Sequence, residues 1–285
     1  MKKTLMAVLS AAVLALSFSA VNAQEVTQPS PDPASVLDND RFQVGVLEWD
    51  NPESNETEQF FYYNGPITEK SSDVLEYAFM QYPDVKKIAL SSPGGLASEA
   101  PELGNLFSSN SIETWVPRGR FCLSACANAF IGGYNYKVSG ILGFHSAWVP
   151  DNVIAEMNPQ QINLLFKSGQ YQGVRDTHYW IVNGFSIQLP AVINSMTSPT
   201  SFLVFTNEDD LLKYYRRNDK DAAAEDLNQI ERYFTFDSTI EPVVWGNEEL
   251  GAELAEQYEL LQTEGVAVRH IATIYDTVAE TEEEG

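Results

Sequence analysis

Between residues 60 and 145, short apolar runs alternate with segments whose apolar residues recur every third or fourth position, and few architectures accept that order. Gln59 to Tyr63 reads as a strand ended by the turn dipeptide Asn64-Gly65. Ser71 to Tyr82 has helical spacing through Val74, Leu75, Ala78 and Phe79. Val85 to Leu90 is a short apolar strand, broken by Ser91-Ser92-Pro93-Gly94-Gly95, and Ala97 to Phe107 is helical again. Thr114 to Pro117 reads as a strand, Cys122 to Ile131 as an uncharged buried helix, and Ile141 to Phe144 as a strand running up to His145. The alternation predicts an α/β domain built of stacked βα units. Upstream, Phe42 to Trp49 reads as one more strand. Downstream, helices are expected over Pro159–Lys167, Gly173–Val182, Leu189–Met196, Glu208–Arg216 and residues 247–262, with a last strand over Val266–Tyr275.

The flanks are different in kind. Lys2 and Lys3, an apolar run from Leu5 to Val21 and the small residues of Val21-Asn22-Ala23 have the layout of a cleaved export signal over residues 1–23. An uncleaved anchor is the alternative, since the run is about long enough to span a thin bilayer. The Pro-rich stretch 24–40 reads as a tether and residues 276–285 as an acidic tail. That leaves a main domain over 41–245 and a helix-strand extension over 246–275. The net charge of −23, from 40 acids against 17 bases, becomes −25 once Lys2 and Lys3 are removed. It argues against nucleic acid and anionic lipid as partners. No later stretch is apolar enough to span a membrane, so a soluble, exported protein is expected, periplasmic before secreted.

Three local features could carry chemistry. The Ser92-Pro93-Gly94-Gly95 turn lets the backbone reverse sharply and frees N–H groups near a helix start, where negative charge is favoured; alone, it is also an ordinary tight turn. Ser124 heads an apolar helix, either as a plain cap or as a nucleophile with the Ala125 N–H and the helix dipole facing the reacting oxygen. His145 ends a buried strand, either as a structural histidine or as the general base for Ser124. The three histidines and two cysteines have neither the count nor the spacing of a structural zinc site, and neither metal nor cofactor is expected. Export exposes Cys122 and Cys126 to an oxidant, so a disulfide flanking Ser124 is expected, with two buried thiols as the alternative.

In this order the features resemble the Clp protease/crotonase superfamily. Ser92-Pro93-Gly94-Gly95 looks like its oxyanion turn, the Ser124 helix with Gly133 nine residues on looks like its nucleophile helix, and the strand into His145 looks like its base-bearing strand. Cys122-Leu123-Ser124-Ala125-Cys126, Ile131-Gly132-Gly133 and Gly143-Phe144-His145 resemble an uncharacterised exported branch of it. The resemblance spans roughly residues 59–215, firmest at 86–148. It implies a Clp-like α/β fold with additional C-terminal helices, and a peptidase-like serine hydrolase acting on a peptide or protein. Ser124 would be the nucleophile and His145 the base, with the N–H groups of Gly94 and Ala125 as the oxyanion hole. The chain departs from the pattern in its short Ser-to-His interval of 21 residues and in lacking an acid where the third triad member belongs; Thr200 and Ser201 stand there, with Asn194 nearby. These neutral residues are the candidates for orienting the imidazole. The alternatives are an inactive Clp-like domain that binds a peptide or protein partner and, more remotely, an acyl-thioester enzyme on the same superfold. A lysine base is a further variant, and Lys137 is the one lysine between Ser124 and His145.

Overall fold

The computed structural model describes residues 42–51, 56–146, 149, 151–216, 236–264 and 268–276. The expected signal peptide, the tether and residues 277–285 of the acidic tail lie outside these described residues.

The described chain is a mixed α/β structure with two sheets. Its elements run β1 (Gln43–Asn51), β2 (Glu56–Asn64), α1 (Ser71–Gln81), β3 (Lys87–Ser91), α2 (Ala100–Ser109), β4 (Glu113–Val116), β5 (Phe121–Leu123), α3 (Ala125–Phe130), β6 (Tyr136–Val138) and β7 (Ile141–Phe144). They continue α4 (Asp151–Ala155), α5 (Pro159–Val182), α6 (Gln188–Met196), β8 (Ser201–Phe205), α7 (Glu208–Leu212), β9 (Val244–Gly246), α8 (Asn247–Glu264) and β10 (Val268–Asp276). The larger sheet has the order β10-β1-β2-β3-β4-β6, the smaller β5-β7-β8-β9. From β2 to β6 the pairing is parallel, as crossover helices require, while β10, β1 and β2 are antiparallel. The sheets are stitched where β3 ends: Ser92 N–H donates to the Phe121 carbonyl (2.8 Å) and Leu123 N–H to the Ser92 carbonyl (2.9 Å).

Burial follows the periodicities of the sequence. On α1, Ser71, Leu75, Ala78 and Phe79 face inward; on α2, Ala100, Leu103, Gly104 and Phe107 do. Leu75, Ala78, Phe79, Ala100, Leu103 and Phe107 join Val44, Val46, Phe61, Tyr63, Ile88 and Leu90 in the main core. A second cluster lies against the smaller sheet: Phe121, Leu123, Ile141, Phe202 and Val204 from the strands, with Leu250 and Leu254 from α8. At about 25 cal/mol per Å² of apolar surface removed from water, these clusters are the main favourable term in holding the sheets together.

Four expectations change. The expected helix over Cys122–Ile131 begins only at Ala125. Phe121–Leu123 instead form β5, because their backbone pairs in parallel with Ile141–Gly143; a three-residue strand bonded only across the fold has no local signature. The two helices expected at Pro159–Lys167 and Gly173–Val182 are one. Gly169 and Gly173 each cost about 1 kcal/mol relative to Ala, too little to break a helix opened by Pro159 and a capping box, in which Asn158 accepts from Gln160 N–H (3.0 Å) and Gln161 N–H (2.9 Å). The helix expected to reach Arg216 stops at Leu212, where the chain turns back and Ser186 N–H donates to the Tyr214 carbonyl (2.9 Å). Finally, the last described strand joins the larger sheet, with β10 flanking β1, and α8 follows directly on β9, which pairs with β8 in the smaller one.

Candidate active site around Ser124

Ser124 joins β5 to α3. Its N–H donates to the Gly143 carbonyl (2.8 Å), extending the β5–β7 ladder in which Leu123 stands opposite Gly143. One residue later the chain is helical. The reversal forces Ser124 to φ 56°, ψ −121°. Only one other non-glycine among the described residues, Ser111, has positive φ. Such a conformation costs of order 1–3 kcal/mol and persists only where the surroundings impose it.

The surroundings can be named. Cys122 and Cys126 form a disulfide with Cα atoms 5.1 Å apart, tying β5 to the first turn of α3 across Ser124. Both cysteines are fully buried. From the other side comes the Gly94 turn, with φ +98° at Gly94 and +142° at Gly95. A Cβ placed on Gly94 would stand 2.6 Å from Ser124 Cβ, 2.7 Å from the Leu123 carbonyl oxygen and 3.1 Å from Ala125 N. The glycine backbone therefore lies against the serine and the first N–H of α3. Ala125 N–H, at the first helical position, has no intrahelical acceptor. Gly94 N–H donates to Ser92 Oγ at 3.1 Å, so an incoming oxygen must compete with that hydroxyl for it.

His145 directly follows β7 and Ser124 directly follows β5, its parallel neighbour, so both stand at the carboxyl ends of adjacent strands. No hydrogen bond joins their side chains, and Nδ1 of His145 is enclosed without a partner. The ring packs edge-on against Phe202, with centroids 4.9 Å apart at 65°. Burial lowers the His145 pKa below that of a free imidazole, opposed more weakly by the Ser146 backbone.

The three candidate orienting residues do not bond to the ring. Ser201 and Ser198 exchange a hydroxyl hydrogen bond of 2.8 Å, Thr200 N–H donates to Ser198 Oγ (3.3 Å), and Asn194 is exposed on α6. The residue that fixes the segment beside His145 is Thr197. Its Oγ1 accepts from Ser146 N–H (2.8 Å) and donates to the Ile193 carbonyl (2.7 Å), while Ser146 Oγ donates to the Thr197 carbonyl (3.3 Å). A hydroxyl residue closing a helix just before Ser198-Pro199 was the signal available in the sequence. Lys137 lies on β6 with its amine 5.8 Å from the Trp115 ring centre, on an edge strand of the other sheet. Among the described residues no group of three or more His, Cys, Asp or Glu could hold a metal ion, and no helix is long and apolar enough to cross a membrane.

Fold and site together define a mixed α/β protein with a serine at a strand-to-helix elbow and a histidine at the end of the neighbouring strand. No protein-family model and no curated protein matches the chain. Among solved structures, a mutant form of 1510-N, a membrane-bound stomatin-specific protease, is similar over 61% of this chain and 81% of its own, at 16% identity and a TM-score of 0.36. That score is too low to establish a shared fold.

Proposed function

We propose that the chain is an exported serine hydrolase of the Clp protease/crotonase type, acting on peptide or protein substrates, with its main domain over 41–245. The observation that carries the reading is the strained conformation of Ser124 at the head of α3, against the Gly94 turn and on the strand next to the one that ends at His145. A strained serine at a strand-to-helix turn exposes its hydroxyl above the end of a sheet. The disulfide fits an oxidising compartment.

In this reading Ser124 Oγ attacks the substrate carbonyl while its proton passes to the neutral imidazole of His145. The carbonyl oxygen becomes an oxyanion held by the N–H groups of Ala125 and Gly94, the latter released by Ser92 Oγ, with the dipole of α3 adding to the field. The imidazolium returns its proton to the leaving amine, and an acyl group remains on Ser124. Water, losing a proton to His145, then releases the acid and restores the hydroxyl. Without a carboxylate on Nδ1, the imidazolium lacks the partner that stabilises it in a full triad, so slow turnover is expected.

The same unpartnered Nδ1 and the engaged Gly94 N–H favour a second reading, a catalytically inactive Clp-like domain that binds a peptide or protein partner in its cleft. A fluorophosphonate probe separates the two. The hydrolase reading expects covalent labelling of the folded protein that Ser124→Ala abolishes. Absence of labelling in folded protein rejects it in favour of the binding domain.

A further inference from the structure

The Cys122–Cys126 bond joins residues 4 apart in sequence, and Ser124 is the one midway between them. Ser124 is also the residue held at φ 56°, ψ −121°. A residue free to leave such a conformation favours an ordinary one about 5- to 150-fold. In the chain-entropy account, a bond closing a loop of about five residues favours the closed form ~30-fold. The two effects are of similar size, so the presence of the bond decides how firmly the elbow is held. Sterics act in the same direction. Bonded sulfurs lie about 2 Å apart, whereas unbonded heavy atoms settle at about 3.5–4 Å. Two thiols therefore have to draw apart. Cys122 has little freedom to do so, because its backbone pairs with Leu142 on one side and bridges to Ser92 on the other. The movement falls on Ser124 and the first turn of α3, which carries the Ala125 N–H.

We propose that the Cys122–Cys126 bond is a one-way switch that makes Ser124 competent: the oxidised pair holds the elbow, and the folded dithiol form is dormant. This rests on the hydrolase reading above. Switching on needs an external disulfide. The thiolate of one cysteine attacks a sulfur of that disulfide and releases a thiolate; the other cysteine then displaces the second sulfur from the mixed disulfide. The pair loses two electrons and two protons, and the oxidant leaves as two thiols. Switching off needs the reverse attack, which the fold opposes. Cys122 and Cys126 are 0% and 1% exposed, and Cys126 lines a small apolar cavity with Leu90, Leu103 and Phe107. A thiolate reaches neither sulfur until β5 and α3 part. Oxidation therefore precedes the docking of α3, and folding then seals the bond. In the exported reading, the serine stays dormant in the reducing compartment where the chain is made and becomes competent where it meets an oxidant.

The test unfolds the purified chain in the presence of dithiothreitol and refolds it either in that reductant or in a mixture of reduced and oxidised glutathione. Intact mass after alkylation reads the thiol state, thermal melting reads the fold, and the rate of fluorophosphonate labelling below the melting transition reads Ser124. The oxidised protein is expected to label about 10- to 30-fold faster than the folded dithiol form. The double variant Cys122→Ala/Cys126→Ala should label at the dithiol rate after either refolding. Gly132→Ala, whose methyl would press on the Gly104 backbone, gives the loss owing to lowered stability alone. Dithiothreitol added to the folded oxidised protein should leave both the bond and the rate unchanged over hours. Equal rates for the oxidised and dithiol forms, a double variant at the wild-type rate, or ready reduction of the folded protein overturns the one-way switch and leaves the hydrolase reading intact. Failure of both the dithiol form and the double variant to fold overturns it too, because the bond is then a condition of folding. An oxidised protein that does not label overturns both.

Discussion

Replacing Gly94 by alanine tests whether the glycine turn holds the serine in place. The perturbation is one methyl group at a backbone with φ +98°. Two costs follow. An L-residue on the left-handed side of φ carries about 1–2 kcal/mol of strain. The methyl would also lie 2.6 Å from Ser124 Cβ and 2.7 Å from the Leu123 carbonyl oxygen, both well inside contact distance; crowding of this kind costs about 1–3 kcal/mol. The total of about 2–5 kcal/mol should lower the melting temperature by roughly 5–15 °C in a domain of this size. The methyl fits only if the turn and the head of α3 move apart, and a displacement near 1 Å at a reacting centre costs about 100-fold in rate. Fluorophosphonate labelling below the melting transition should fall by about that factor. Gly132→Ala is the control: its methyl would run into the backbone of Gly104, where α2 and α3 cross, lowering stability while leaving the labelling rate within a few-fold of wild type. A Gly94→Ala protein that labels at the wild-type rate would refute the claim that this turn aims Ser124.

Two further outcomes are expected. Because burial lowers the His145 pKa in the folded state, the unfolded chain binds this proton more readily; His145 contributes no destabilisation above its unfolded pKa near 6.5 and a growing one below it, levelling off under the folded value. Labelling should be flat at and above pH 7 and decline only below about 6.5 as the base protonates; a decline centred above 7 contradicts the assignment of His145 as the base. Thr197→Val removes the acceptor of Ser146 N–H and should cost about 1–2 kcal/mol in denaturant unfolding and several-fold in labelling rate, with Thr197→Ser restoring both; a valine variant with unchanged labelling denies Thr197 a role in placing His145.

What the sequence disclosed was whatever has a local cause. The inward faces of α1 and α2 follow from spacing, the turn at Gly94 and Gly95 from adjacent glycines, and the Cys122–Cys126 bond from the two cysteines being the chain's only pair in a sequence read as exported. What stayed hidden has its cause elsewhere in the chain. Residues 121–123 are a strand only because Ile141–Gly143 lie beside them. Thr197 matters because Ser146, 51 positions earlier, comes to its hydroxyl. Family pattern directed attention to Thr200 and Ser201, which turn out to serve the Ser198 turn.

The pairing of β10 with β1 sets a timetable for the molecule. Gln43 pairs with Asp276 and Trp49 with Val268, so β1 gains one of its two neighbours only after roughly 220 further residues have been made. At 5–20 residues per second the wait is roughly 10–50 s. Through it β1 can pair with β2 but leaves a row of N–H and C=O groups open, an edge that invites pairing with other chains. Contacts this distant along the chain also slow the folding of the finished polypeptide. If the chain is exported as proposed above, late closure is an asset, because the nascent chain cannot complete its sheet before it passes. The corresponding burden, in that reading, is a need for protection of β1 until β10 arrives.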